Sequence, residues 1–349
     1  MHIPDNYLSP STCATLFVAM TPIWYYSIRK INKTLSADKI PLIGIGGAFA
    51  FILMMFNLPI PDGTTAHAVG GTLIALLLGP YAACIAISVA LFIQAIIFGD
   101  GGILSFGANC FNIAFILPFT GFFIYKILNK IHLSPFYHKC TIFLSAYISI
   151  NLAAFFTALE LGIQPLLFVD NLGQPLYCPY PLWISIPAMA LSHLTIAGIA
   201  EGLFTLSLYL FILKTSPNII YDCQQIKLNS IFSLLAFLII ISPLGLIAEG
   251  TAWGEWAPEE ILNDTSSGVP LGFIPEKLLN GFNYEAFFPD YTMSGTTDIL
   301  AYIASAIIGV ALLIIIFKML GNIVYAKKQY PIHMDIVFHF KAYLSFHHQ

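Results

Sequence analysis

The chain returns repeatedly to apolar runs of about 20 residues separated by short polar turns, and that recurrence leaves few folds open. In helical form such a run covers the ~30 Å hydrocarbon core of a bilayer. Spans are expected near Cys13–Ile28, Ile40–Asn57, Thr64–Gly79, Tyr81–Phe98, Ala108–Ile127, Thr141–Glu160, Trp183–Leu213, Ile231–Ala248 and Asp298–Leu320. The third is short and carries Gly70-Gly71, and Gly79-Pro80 reads as a tight turn into the fourth. Charge is scarce enough to permit this reading: 9% of residues are charged, against roughly 25% in a soluble domain. Mean hydropathy is +0.82. The expected fold class is an all-α polytopic membrane protein. A net charge of −4 without a basic patch gives no footing for nucleic acid. The six cysteines stand singly, and Cys13, Cys84 and Cys110 read as small buried hydrophobes.

Basic residues orient the spans. Arg29, Lys30, Lys33 and Lys39 follow the first, and Lys126, Lys130 and Lys139 the fifth. Lys214 and Lys227 follow the seventh; Lys318, Lys327, Lys328 and Lys341 belong to the last. With nine crossings all of these share one side, the cytoplasmic one, and only Lys277 falls opposite. Asp5, Asp62, Asp100, Glu160, Asp170 and the acids from Glu249 to Asp298 fall outside. The N-terminus is therefore expected to be extracytoplasmic.

The opening Met1-His-Ile-Pro-Asp-Asn-Tyr-Leu-Ser-Pro10 is unlike a signal peptide, having no basic start, apolar centre or small-residue cleavage site. Met1 and His2 together offer three nitrogens: the α-amine, the amide between them and the imidazole. Binding one metal through all three closes a five- and a six-membered ring and leaves one corner of a plane open. Planar nitrogen sets suit Ni(II) or Cu(II) rather than structural zinc or the oxygen cages of Mg and Ca. Alternatively His2 is simply a solvated terminal residue. The expected topology puts His67, in the outside loop from Asn57, at the same membrane face. His132, His138, His333, His339, His347 and His348 fall on the cytoplasmic side, and His193 inside the seventh span. His67 is then the available fourth nitrogen, or an interfacial polar cap.

Three amides lie at helix ends near a third outside loop, Gly99 to Asn109: Gln94, Asn109 and Asn112. They serve either interhelical hydrogen bonds in lipid or the support of ligand imidazoles. His193 and Glu201, eight residues apart in the seventh span, are costly there unless paired, and fit a proton relay, an ion path or a helix contact. After that span the character changes. One span, an outside loop of about 50 residues opening with Trp253 and Trp256, and a last span follow, the loop too long to be idle. The chain divides into a module at 1–222, a two-span module at 229–326 and a tail at 327–349.

Several separated segments carry a resemblance: Met-His-Ile-Pro-Asp-x-Tyr-Leu-Ser-Pro, Thr-Ala-His67-Ala-Val-Gly-Gly, Phe-Gly-Asp-Gly-Gly, Gly-Ala-Asn-x-Phe-Asn112 and Ala-Gly-Ile-Ala-Glu-Gly. Residues 1–213 resemble the NikM/CbiM family, the substrate-binding S components of energy-coupling-factor (ECF) nickel and cobalt importers. The second module, from Ser-Pro-Leu-Gly-Leu to Gly-Thr-Ala-Trp-Gly-Glu-Trp, resembles the two-helix NikN accessory subunit. The resemblance implies a bundle of about seven transmembrane helices plus the two-helix module, in a prokaryotic inner or plasma membrane. It implies metal ligation by the amine of Met1, the amide and imidazole of His2, and His67. Ni(II) is the implied transported substrate, with Co(II) the alternative. The implied partners are a transmembrane coupling subunit, two ABC-type ATPase subunits, membrane lipid and the metal ion. Two departures stand out. Asn6 replaces a frequent Gly, as the next residue most tolerant of a left-handed turn. Thr65-Ala66 replaces a frequent Ser-Gly before the loop histidine.

No G-x-x-x-x-G-K-[ST] run occurs, so the chain holds no ATP site of that kind and is not expected to be an enzyme. Metal binding would release protons, so affinity should rise with pH. One rival is an autonomous proton-coupled carrier using His193 and Glu201. A membrane metalloenzyme would need an open metal position and a nearby base. A channel would need a charged constriction.

Overall fold

The computed structural model describes residues 1–36, 39–60, 64–131, 134–216 and 228–329. The expected tail from residue 330 onward, and with it His333, His339, Lys341, His347 and His348, falls outside the described residues, as do Asp62, His132 and Lys227. Nine principal helices form the bundle among the described residues. They are α1 (Pro10–Thr34), α2 (Ile40–Met54), α3 (Gly71–Leu78), α4 (Pro80–Ile93), α5 (Phe106–Leu128), α6 (Pro135–Gly162), α7 (Leu182–Thr215), α8 (Leu228–Ile241) and α9 (Asp298–Gln329). A hairpin of β1 (Leu58–Ile60) and β2 (Thr64–Ala66) lies between α2 and α3, pairing Leu58 with Ala66 and Ile60 with Thr64.

Among the described residues, six helical segments are long and apolar enough to cross a membrane: Pro80–Phe98, Phe106–Leu128, Pro135–Leu167, Leu182–Thr215, Asn229–Ile247 and Asp298–Val324. The chain is a multi-pass membrane protein. Helix α2 is apolar throughout but has only 15 residues. The third expected span differs most. Its helical part is the eight residues of α3, which rise about 12 Å, less than half the hydrocarbon thickness. The rest is β2 and a non-helical stretch through His67 to Gly70. Non-helical backbone at such depth is tolerated only where protein satisfies its polar groups.

Local chemistry starts and interrupts the helices. Ser9 caps α1, its hydroxyl accepting from the Thr12 N–H at 3.1 Å with Pro10 in the first turn. Ser134 and Pro135 repeat the device at α6. Wide π-turns lie at Gln94–Phe98, Cys110–Ile116 and His193–Ala197, within or directly after α4, α5 and α7. Such turns often mark functional positions. Each of the three carries a residue singled out above: Gln94, Asn112 and His193.

The helix ends sort by charge. The starts of α1, α5, α7 and α9 and the ends of α4 and α6 gather at one pole, tied by contacts such as Ser9 N–H to Gln164 Oε1 (3.0 Å) and Cys178 N–H to the Tyr7 carbonyl (3.1 Å). Asp5, Asp100 and Glu255 belong to that pole, whereas Arg29, Lys33, Lys126 and Lys214 sit at the far ends of α1, α5 and α7. Asn112 donates to the buried Glu160 at 2.7 Å, an interhelical bond between α5 and α6.

The last helix belongs to this bundle rather than beside it. Helix α9 lies against α2 through small residues: a Cβ on Gly44 would stand 2.8 Å from the Leu313 carbonyl oxygen and 2.9 Å from Phe317 Cβ. Backbone approach of this kind drives helix association where lipid supplies no hydrophobic contrast. Substituting Gly44→Val should therefore cost about 1–3 kcal/mol. A melting curve of the purified chain in detergent checks this, with a lowered Tm expected.

Candidate metal centre

The first nine residues form no regular element, yet most of the segment is buried. Ile3 is fixed at both backbone groups by one side chain: its N–H donates to Asn109 Oδ1 at 2.7 Å, and its carbonyl accepts from Asn109 Nδ2 at 3.0 Å. Gly102 N–H adds a bond to the same carbonyl at 2.9 Å. Asp5 accepts from the N–H groups of Ile103 (3.0 Å) and Leu104 (2.7 Å), and Ser105 donates to the Pro4 carbonyl. A Cβ on Gly102 would fall 2.4 Å from an Asp5 oxygen, so glycine is what lets the loop approach. Asn6 has φ of 69°, the left-handed turn for which asparagine suits.

This anchoring carries His2 to His67. Their rings stack with centroids 4.9 Å apart and planes 27° from parallel. Both are buried, and the Nε2 of each lacks a hydrogen-bond partner in the protein. His67 follows directly on β2, its Nδ1 3.1 Å from the Ala68 carbonyl oxygen. His2 Nδ1 lies 3.0 Å from Asp100 Oδ1, and the Met1 amine donates to Glu255 Oε1 at 3.0 Å. The expected trio of Met1, His2 and His67 is thus brought together at the acidic pole.

Of the amides, Asn109 and Gln94 support the site and Asn112 does not. Gln94 donates to Asp100 Oδ2 at 3.1 Å and to the Tyr291 hydroxyl at 3.0 Å. Tyr291 itself donates to Asp100 Oδ2 at 2.5 Å. Asp100, Glu255 and Tyr291 were not expected at the site. Asp100 had a signal, as the acid within Phe-Gly-Asp-Gly-Gly. Glu255 and Tyr291 come from the long loop before α9, where no periodicity pointed inward.

That loop closes over the N-terminal segment. Phe282 exchanges two 2.8 Å bonds with Asn6, Trp256 accepts from the Tyr7 hydroxyl at 2.7 Å, and Phe288 N–H reaches the Ile97 carbonyl at 2.8 Å. Asp290 and Tyr291 reach this geometry with φ of 50° and 61°, strained values for non-glycine residues. A chamber of about 380 Å³ remains, lined by His2, His67, Asp100, Glu255, Tyr291 and Tyr302 among others.

The electrostatics favour nitrogen donors beside a fixed carboxylate. Burial, then the charge of the terminal amine and that of His2, holds the His67 imidazole well below its ordinary range, so it stays neutral with a free lone pair. Burial pushes Asp100 up, but the His2 charge and hydrogen bond and the Tyr291 hydroxyl outweigh it and hold the carboxyl well below the usual range. Burial and the adjacent Asp100 charge keep the Tyr291 phenol well above 10, a permanent donor. Among the described residues no three His, Cys, Asp or Glu side chains cluster as a metal site.

Fold and site define a class: a multi-pass membrane protein with a buried, stacked histidine pair at one pole, roofed by the loop before α9. Residues 2–219 match the family described as the cobalt uptake substrate-specific transmembrane region, and the chain belongs to that family. Residues 228–326 match the PDGLE domain, which is NikN-like. The chain is similar to the probable fused nickel transport protein LarMN of Lactiplantibacillus plantarum, 45% identical over 91% of this chain and 97% of that one. It is 43% identical to the fused nickel transport protein NikMN of Rhodobacter capsulatus, over 90% of this chain and 95% of that one. A crystal structure of a truncated transition metal transporter aligns with a TM-score of 0.58 at 51% identity, covering 61% of this chain and 99% of that one. The relatives are named for transport, not for catalysis.

His67 gives a test that needs no metal. Its imidazole is held below the value near 6.5 that it takes when unfolded, so the unfolded chain binds the extra proton as pH falls. Stability contributed by neutral His67 is complete above about pH 6.5 and is lost progressively below it. Tm should fall on acidification through that value, and His67→Gln should flatten the fall in parallel melts.

Proposed function

We propose that this chain is the substrate-capturing membrane component of an ATP-driven ECF importer, and that its substrate is Ni(II), with Co(II) the alternative. The stacking of His2, the residue after the Met1 amine, on His67, whose Nε2 is buried and unpartnered, is the observation that carries this reading. The nickel names of the two fused relatives support the choice of metal. Cobalt enters through the family description and through a similar cobalt transport protein CbiM of Clostridium cellulovorans, 32% identical over 62% of this chain.

The proposed donors are the Met1 amine, the His2 amide, the His2 imidazole and His67, in one plane. Terminal chelation uses His2 Nδ1, which now faces Asp100. Loading would turn that ring off the carboxylate and take the amine from Glu255. Tyr291 and Gln94 keep Asp100 in place meanwhile, so negative charge stays beside the incoming cation. The roof contributes both Glu255 and Tyr291, which supports dividing the chain into a capture module at 1–222 and an accessory module at 229–326 that closes over it. The acidic pole would face outward, with the N-terminus extracytoplasmic. A coupling subunit and two ATPase subunits would supply the energy, reorient the module and release the metal inside.

A hydrolytic metal site is disfavoured because a filled nitrogen plane leaves no in-plane position for attacking water. Proton-coupled carriage through Glu201 is disfavoured because that carboxylate is engaged by backbone N–H groups of the His67 turn.

Inserting one Ala between Met1 and His2 keeps every side chain but alters the chelate rings. Ni(II) titration of the purified chain should show tight binding that strengthens from mildly acidic to neutral pH, and its collapse in the insertion variant. Equal binding by both proteins would refute the site. Tyr291→Phe, which removes a support of the ligand rather than a ligand, should weaken Ni(II) binding by about 10–100-fold in the same titration.

A further inference from the structure

Glu201 lies in α7 with no exposed surface, where a carboxylate is costly unless satisfied. Its Oε2 accepts from the N–H of Val69 at 2.7 Å and of Gly70 at 2.9 Å. Those donors stand two and three residues past His67, at the start of α3. Gly70 is left-handed, with φ of 72°, and α3 has no side-chain cap from its own preceding residue. A carboxylate from another helix therefore does the capping, where a negative group is favoured. The stretch between β2 and α3 is buried and non-helical, so without Glu201 two backbone donors would be left without an acceptor. His67 is thus held from both sides: by the hairpin ending at Ala66, and by the turn that Glu201 grips. Its Nδ1 lies against the carbonyl of Ala68, the residue between it and Val69.

We propose that Glu201 is the positioning residue for His67, holding the Val69–Gly70 turn so that the imidazole stands fixed as the fourth donor to the metal. The role rests on the metal-site reading above. It differs from a proton relay in what it asks of the side chain. A relay needs a group that gains and loses a proton. Positioning needs one oxygen at the place of Oε2, which a glutamine also provides.

The experiment is Ni(II) titration and absorption spectroscopy of the full chain and of Glu201→Gln, Glu201→Asp and Glu201→Leu, with His67→Ala as reference. Glu201→Leu removes the acceptor, and Glu201→Asp keeps the charge but withdraws it by one methylene. Both should weaken Ni(II) binding by about tenfold or more and take on the ligand-field spectrum of His67→Ala. Glu201→Gln should restore the native spectrum, with affinity within about threefold of the natural chain. The Asp variant decides the matter if the Leu variant does not fold. Native affinity and spectrum in the Leu and Asp variants would overturn the role, as would a Gln variant as impaired as Leu. A native spectrum in His67→Ala would instead remove the site itself, which separates the failure of that reading from the failure of this one.

Discussion

Irregular backbone buried inside an apolar bundle has to find a partner for every N–H and carbonyl it carries, and that constraint organises this protein. Two such stretches meet at the site, the first nine residues and the turn around His67. Neither can satisfy itself as a helix would. Side chains from the helices and their connecting loop do it instead. Asn109 takes both backbone groups of Ile3, Gln164 takes the N–H of Ser9, and Glu201 takes Val69 and Gly70. In a bilayer each unsatisfied group would cost several kcal/mol, so these side chains are conditions of the fold as well as of the site. One arrangement therefore holds the backbone and aims the two imidazoles at each other.

The C-terminal loop obeys the same logic from above. It meets the N-terminal segment through backbone bonds at Phe282 and Trp256 and adds two functional groups, the Glu255 carboxylate and the Tyr291 hydroxyl. Because α9 is packed tightly on α2, the loop is anchored at the rim of the chamber rather than trailing from it. Left-handed backbone at Asp290 and Tyr291 is held by that anchorage, with Tyr291 stacked on Phe98 at 4.8 Å.

Much of this was legible in the sequence, and the rest was not for identifiable reasons. Long apolar runs declared the spans because hydrocarbon thickness sets their length. The lysine bias places His67 at the face of His2, and the resemblance, with Asn6 where glycine is frequent, points to the left-handed turn found there. The segment Thr64–Gly79 looks like a short span because Thr72 to Leu78 is as apolar as its neighbours. Only the left-handed conformation of Gly70 and the hairpin before it show that much of that segment is not helical. Asp100 passed for one more loop acid because its partners Tyr291 and His2 lie far away in sequence. Glu201 was visible as an intramembrane acid, but its bonds span more than 130 residues and no local pattern encodes them.

The planar nitrogen site is the claim from which the rest of the functional reading follows, and X-ray absorption at the nickel edge of the Ni(II)-loaded full chain tests it most directly. Four nitrogen neighbours at one short distance, with the edge feature of a square-planar ion, are the expected result. A six-coordinate shell containing oxygen, with that feature missing, would contradict it and would move the metal away from the terminal amine and amide.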